Sequence, residues 1–208
     1  MNKHKIQVNK EHYFNDEYNH KARWLSFFYQ IKTLRKIKAS NILEIGPGNG
    51  WVTRILRDVG IEVTTVDIDK DLKPDFVAGI EKLPFADNVF DAVCAFEVLE
   101  HMPFEDFISN LKEMSRVSKK YVVISLPDHR RILLHLLLKI PFVNYKNIFI
   151  KIPSFKKHIF DGQHYWEIGK NGYPVSKIKE AIEKTGLRIV DNFVPSDAPS
   201  NHYFVAQK

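Results

Sequence analysis

One cysteine in 208 residues, Cys94, has no partner for a disulfide within the chain. A disulfide-stapled secreted scaffold is therefore excluded, and a reducing compartment fits. Cys94 lies in an apolar run and reads as core filling rather than as a nucleophile. The first residues, MNKHKIQVNKEHY, lack the apolar stretch of a secretory leader, so a cytoplasmic location is expected. No apolar run is long enough to cross a bilayer. The strongest, from Arg130 to Pro141, is interrupted by Lys139. Even as a helix, at ~1.5 Å per residue, it falls far short of the ~30 Å of hydrocarbon. The nine histidines lack metal-ligand spacing, so no metal is expected. Internal repeats and low-complexity tracts are absent as well.

Acidic residues are scarce in one segment. Residues 128–160 carry Arg130, Arg131, Lys139, Lys146, Lys151, Lys156 and Lys157 against Asp128 alone, which accounts for the whole net charge of +6. Elsewhere the charges balance, so the basic character belongs to a segment and not to the fold. The rest alternates strand and helix patterns. NILEIG (41–46), IEVTTVD (61–67), FVAG (76–79), FDAVCAF (90–96) and YVVISLP (121–127) read as strands. WVTRILRDV (51–59) and residues 103–117 read as helices. Such alternation predicts a mostly parallel sheet with helices on both faces. Near the C-terminus a helix around Val175–Ile182 is followed by LRIVDNFV and HYFVAQ, a hairpin that must contribute an antiparallel strand. Residues 11–37 read as an aromatic-rich helical segment.

The stretch ILEIGPGNGW (42–51) holds three glycines directly after the first strand. A phosphate-binding P-loop would need a lysine that GPGNGWVT lacks. A dinucleotide fingerprint would need a small residue where Trp51 stands, so that helix and strand can close on each other. The pattern present is acid-x-G-x-G-x-G, Glu44 to Gly50. Asp67, at the end of the next strand, could accept ribose hydroxyls, with Asp69 as the competing choice.

Glu44–Gly50 resembles motif I of the class I S-adenosylmethionine-dependent methyltransferases. The run AGIEKLPFADNVFDAVCAFEVLEHM (78–102) resembles the middle of their type 11 family. The resemblance spans residues 41–127. It implies a Rossmann-like α/β fold with a mostly parallel seven-stranded sheet, and S-adenosyl-L-methionine as cofactor with S-adenosyl-L-homocysteine as product. It also implies a cofactor set of Glu44, Gly46, Pro47, Gly48, Gly50, Asp67, Ile68, Ile80, Glu81 and Glu97. Gly46 would reverse the chain at positive φ, Gly48 would clear space for the methionine half, and Glu44 would face its ammonium. One position departs from the family: Gly79 stands where an adenine-binding Asp is common, which passes adenine recognition to Ile80 and Glu81.

On this reading the chain is one methyltransferase domain. It comprises an N-terminal cap (1–40), a cofactor core (41–127), an acceptor lid inserted after the fifth strand (128–173) and a C-terminal helix and hairpin (174–208). Glu97 and His101 stand at the family's position for a general base. Against that role, Glu97 would only pack on the methionine end and His101 would only brace the next loop. His129, His164, Tyr165 and Trp166 are candidates for the acceptor pocket, with Trp166 as core the competing choice. The lid is both apolar and basic. It reads either as a simple cover over a small-molecule or lipid-like acceptor, or as a surface for peripheral membrane contact through 128–160. Lysines and aromatics interleave over Tyr145–Lys157, but no RNA-binding module is present, so nucleic acid ranks last. The alternatives to a small-molecule or lipid methyltransferase are an inactive binding module of the same fold and an RNA methyltransferase.

Overall fold

The structure, a computed structural model, describes residues 6–139, 141 and 146–208. Seven strands form the main sheet: β1 (Asn41–Ile45), β2 (Glu62–Asp67), β3 (Phe76–Val77), β4 (Phe90–Phe96), β5 (Ser118–Pro127), β8 (Arg188–Phe193) and β9 (Asn201–Gln207), in the order β3-β2-β1-β4-β5-β9-β8. β9 runs antiparallel between β5 and β8, while β1 to β5 pair in parallel. The mostly parallel, doubly wound sheet expected from the alternating pattern is therefore present, C-terminal hairpin included.

Period-two alternation divides the core between the two faces. Leu43, Ile45, Val93, Ala95, Val122 and Ile124 point to the side covered by α3 (Phe107–Val117) and α4 (Val175–Glu183). Ile42, Ala92, Cys94, Phe96 and Val123 point to the side covered by α1 (Lys21–Lys36) and α2 (Trp51–Asp58). Cys94 is fully buried there, which agrees with a core role. α1 is fixed across the C-terminal strand, where the Tyr203 hydroxyl donates to the Ser26 carbonyl at 3.1 Å. The expected helix from Pro103 begins instead with a 3-10 turn at Phe104–Asp106, and the aromatic N-terminal segment is a 3-10 turn (Lys10–Phe14) followed by α1.

The apolar run after Arg130 is a strand and not a helix. β6 (Arg131–Leu138) pairs antiparallel with β7 (Lys146–Ile152), Leu134 opposite Ile150 and Leu136 opposite Ile148. An all-round apolar run has no helical face to bury, and the isoleucine-rich partner strand offers it a hydrogen-bonded ladder. Buried Asp128 anchors the base of this ribbon, holding Arg130 at 2.6 Å and Lys151 at 3.0 Å. Along β6 the leucines face outward, Leu133 being 63% and Leu137 55% exposed. The interleaving of aromatics and lysines expected from Tyr145 starts outside the described residues. Among the described residues no helix is long and apolar enough to cross a membrane.

Candidate active site

Strand order reverses between β1 and β4, so the loops leaving these strands splay apart and open a crevice at their carboxyl ends. The glycine loop lies in it. Gly46 has φ 68° and Gly48 φ 57°, a region that side-chain-bearing residues avoid. A Cβ on Gly46 would lie 2.6 Å from Val98 Cγ2, and one on Gly48 would lie 3.2 Å from Tyr13 Cδ1. The Gly46 N–H donates to the Val66 carbonyl at 2.9 Å and ties the loop to the end of β2.

The acids around the loop are held in unlike ways. Glu44 is buried and accepts a hydrogen bond from the Thr53 hydroxyl. Burial pushes its carboxyl up from 4.5 to about 7, against the opposing pull of Thr53 and Arg57. Asp67 is pushed up to about 6, again mainly by burial, and its Oδ1 accepts the Asp69 N–H at 2.8 Å. Asp69 itself caps the turn that follows, its Oδ1 accepting the Asp71 N–H at 2.9 Å. Beside Gly79 the space a side chain would occupy is filled by the carboxylate of Glu81. Glu97 has φ 55° and accepts from the Ser125 hydroxyl at 2.8 Å. Burial raises its pKa while Arg23 opposes the shift.

Twelve of the site residues singled out in the sequence meet in one cavity of about 230 Å³: Glu44, Gly46, Pro47, Gly48, Asp67, Ile68, Asp69, Ile80, Glu81, Glu97, His101 and His164. Gly50 does not line it; with φ 73° it begins α2. His129 lines a neighbouring hollow with Arg130, Arg131 and Glu167, and Glu97 and His164 are shared between the two. Two acceptor-pocket expectations are corrected. Trp166 is fully buried, packs on Phe104 and Phe107 at 5.0 and 5.2 Å, and donates its indole N–H to the Met102 carbonyl at 3.1 Å. A large ring with one polar atom fits such a core when that atom finds a partner. Tyr165 turns outward, 40% exposed, with its ring 4.6 Å from Phe160.

The N-terminal segment completes the cavity, and its sequence gave no motif for this. Ile6, Gln7, Val8, His12, Tyr13, Tyr18 and Arg23 all line it. Tyr13 and Tyr18 meet edge-on at 5.3 Å, and the Arg23 guanidinium lies 4.5 Å from the Tyr18 ring. Gln7 reaches His101 twice, donating to its carbonyl at 3.1 Å and meeting Nδ1 at 2.7 Å. The only hint in the sequence was the density of aromatics in residues 11–37.

Glu167 is the hub of the second hollow. His129 Nε2 at 3.1 Å, His164 Nδ1 at 2.8 Å and the Lys170 ammonium surround it. Burial works to raise its pKa, but these partners hold the carboxyl well below the usual range.

Sheet order and the positive-φ glycine loop define a Rossmann-like α/β domain with a mostly parallel seven-stranded sheet. Residues 43–125 match the family model described as "Methyltransferase domain". Among curated proteins, the chain is 28% identical to an uncharacterized protein of Methanocaldococcus jannaschii, over 73% of this chain and 63% of that one. It is 33% identical to the ubiquinone/menaquinone biosynthesis C-methyltransferase UbiE of Neisseria gonorrhoeae, over 44% of this chain and 43% of that one. The matches thus span under two thirds of these relatives' lengths. Among solved structures, the 1,6-didemethyltoxoflavin-N1-methyltransferase of Burkholderia thailandensis, solved with S-adenosylhomocysteine, is similar at TM-score 0.64. That likeness has 14% identity and covers 95% of this chain and 84% of the other. The PH0226 protein of Pyrococcus horikoshii is similar at TM-score 0.60 and 16% identity, covering 96% of this chain and 99% of the other. At such identities these two likenesses speak for the fold alone.

Proposed function

We propose that this chain binds S-adenosylmethionine in the cavity at the β1–β4 edge and transfers its methyl group to a small, lipid-like acceptor. The observation that carries the reading is the convergence of Glu44, Asp67 and the positive-φ glycine loop on one cavity. The residues present fit the group. A Cβ at Gly48 would crowd Tyr13 and close the space the loop keeps open. Glu44 supplies negative charge for the ligand's ammonium. Asp67, with one oxygen tied to the Asp69 N–H, can use the other on ribose hydroxyls. Ile80 offers an apolar wall to adenine, and the Glu81 carboxylate, folded over Gly79, supports recognition of the adenine edge in place of the family's Asp.

When bound, S-adenosylmethionine supplies an activated methyl group and departs as S-adenosylhomocysteine. The protein's share of the work is then to align the acceptor and exclude water. The N-terminal segment supports the second task by lining the cavity with Tyr13 and Tyr18. Of the two base candidates, Glu97 lines both hollows, whereas His101 lines only the first. The base role therefore goes to Glu97, with His129 and His164 beside the acceptor.

The ribbon supports a lipid surface as the acceptor's source. Its outward leucines combine with Arg131, Lys139, Lys146, Lys156 and Lys157, basic residues that are not committed to Asp128. Apolar contact plus basic charge is what binds a protein to anionic lipid at the interface.

Isothermal titration with S-adenosylmethionine and S-adenosylhomocysteine tests the first half of the reading; no binding of either overturns it. Transfer of labelled methyl into extract fractions tests the second. Binding without transfer to any fraction would mark a binding module, and label in RNA would mark an RNA methyltransferase. Flotation with anionic vesicles at low salt should carry the protein upward. Failure to float would reduce the ribbon to a cover.

A further inference from the structure

Glu100 is fully buried, and its carboxylate oxygens find no hydrogen-bond partner outside their own residue. A lone buried carboxylate is costly and calls for a compensating charge or proton. Glu97 and Glu167 add negative charge around it, and Arg23 supplies positive charge. The local balance therefore has room for a cation.

Two imidazoles stand beside it. One ligand atom each from Glu100, His101 and His164 lie within 4.8 Å of one another, and the two rings meet edge-on at 5.0 Å. Their outer hydrogen bonds fix the tautomers. His101 Nδ1 faces two acceptors, the Gln7 side-chain oxygen at 2.7 Å and the Gln163 carbonyl at 3.2 Å. His164 Nδ1 faces Glu167 Oε1 at 2.8 Å. Each Nδ1 must therefore carry the proton, which makes Nε2 on each ring the nitrogen with a lone pair to give. Histidines that ligate metals are held in the same way, one nitrogen on the metal and the other donating to a carboxylate or carbonyl. The backbone holds the two segments together, since the Tyr165 N–H donates to the Glu100 carbonyl at 2.8 Å and the Trp166 indole to the Met102 carbonyl at 3.1 Å.

We propose that Glu100, His101 and His164 form a binding site for a divalent first-row transition metal such as zinc, between the two hollows. Two imidazoles and one carboxylate suit such ions rather than magnesium or calcium, which prefer all-oxygen shells. Bonds of about 2.1 Å need ligand atoms about 3.4 Å apart in a tetrahedral shell, so on binding the three ligand atoms would draw closer than they now stand. A fourth position would remain for water or for an acceptor oxygen. Asp161, His164 and Glu167 form a second cluster of ligand type. There Asp161 is exposed and caps the Gln163 and His164 N–H groups, and Glu167 is already met by Lys170 and His129. Glu100 is the carboxylate still in need of a cation. The proposal concerns metal binding by the protein alone and does not depend on methyl transfer.

The test is titration of the chelator-treated full chain with Co²⁺, read by visible absorption and by isothermal titration, followed by displacement with Zn²⁺. We expect one equivalent to bind and a rise in melting temperature. Glu100→Gln and His164→Ala should each weaken binding at least tenfold, while His158→Ala, which leaves the three ligands intact, should not. Glu100→Gln removes a buried charge, so it should fold, and circular dichroism checks both variants. Absence of binding to the folded wild type overturns the proposal. So does binding that persists in both ligand variants, or that falls equally in His158→Ala, which would move the ion to Glu167.

Discussion

Glu44 lies one residue before the end of β1 inside the sheet, where a carboxylate has little solvent, and it holds its proton more tightly folded than unfolded. The stabilising contribution of that proton is complete below about pH 4.5. It is lost as pH rises to about 7, above which the fold carries a buried charge costing roughly 3 kcal/mol. Glu44→Gln keeps an acceptor for Thr53 without the charge. Its melting temperature should therefore gain on the wild type across pH 4.5 to 7, while its affinity for S-adenosylmethionine at pH 8 falls at least tenfold; calorimetry reads both. Asp67 and Asp69 separate by another comparison. Asp67→Ala should weaken cofactor binding by about 1.4 kcal/mol or more, a factor of ten. Asp69→Ala should cost about 1 kcal/mol of stability through its lost cap and change affinity little. Unchanged affinity in Asp67→Ala would move the ribose role to Asp69. Glu44, Asp67 and the glycines were legible in the sequence because each lies near the end of, or follows, a strand with a recognisable pattern. Trp166 was legible only as a choice between pocket lining and core, which Phe104 and Phe107 packed on it decide for the core. The pairing of His101 with His164 was not legible, because only the fold brings residues 99–102 and 163–166 together.

Among the elements, the sheet strands were readable from their apolar and β-branched runs, whereas their order in the sheet was not. The β6–β7 ribbon was the harder case. Its leucines favour helix and have no period-two pattern, so its form is set by its partner strand and by Asp128 at its base. Because these side chains face outward, Leu133→Glu with Leu137→Glu should change stability by little, within about 0.5 kcal/mol per site. The same double variant should abolish vesicle flotation while leaving cofactor affinity intact. If it still floats, lipid contact lies elsewhere. The N-terminal turn and α1 were expected only as a cap over the sheet edge, and their individual cavity-lining residues were not legible. Tyr13 and Gln7 act on residues far away in sequence, and no local spacing records such contacts.

At the scale of the whole molecule, the sheet separates two unlike cores. The α1–α2 face carries the glycine loop, and the α3–α4 face carries Trp166. Ligand binding on one edge should stabilise the entire cooperative unit, by about 2.7 kcal/mol at a hundredfold excess over Kd. A melting temperature that stays flat under saturating S-adenosylmethionine would contradict the proposed cofactor site. The three tryptophans happen to be divided between these faces. Trp24 and Trp51 lie 5.6 Å apart beside the loop, and Trp166 is sealed in the opposite core. The protein thus carries its own pair of optical reporters. Red-shifted emission from the first two would register events at the loop, and blue-shifted emission from Trp166 would register loosening of the far face, so one fluorescence spectrum can tell a local opening from global unfolding.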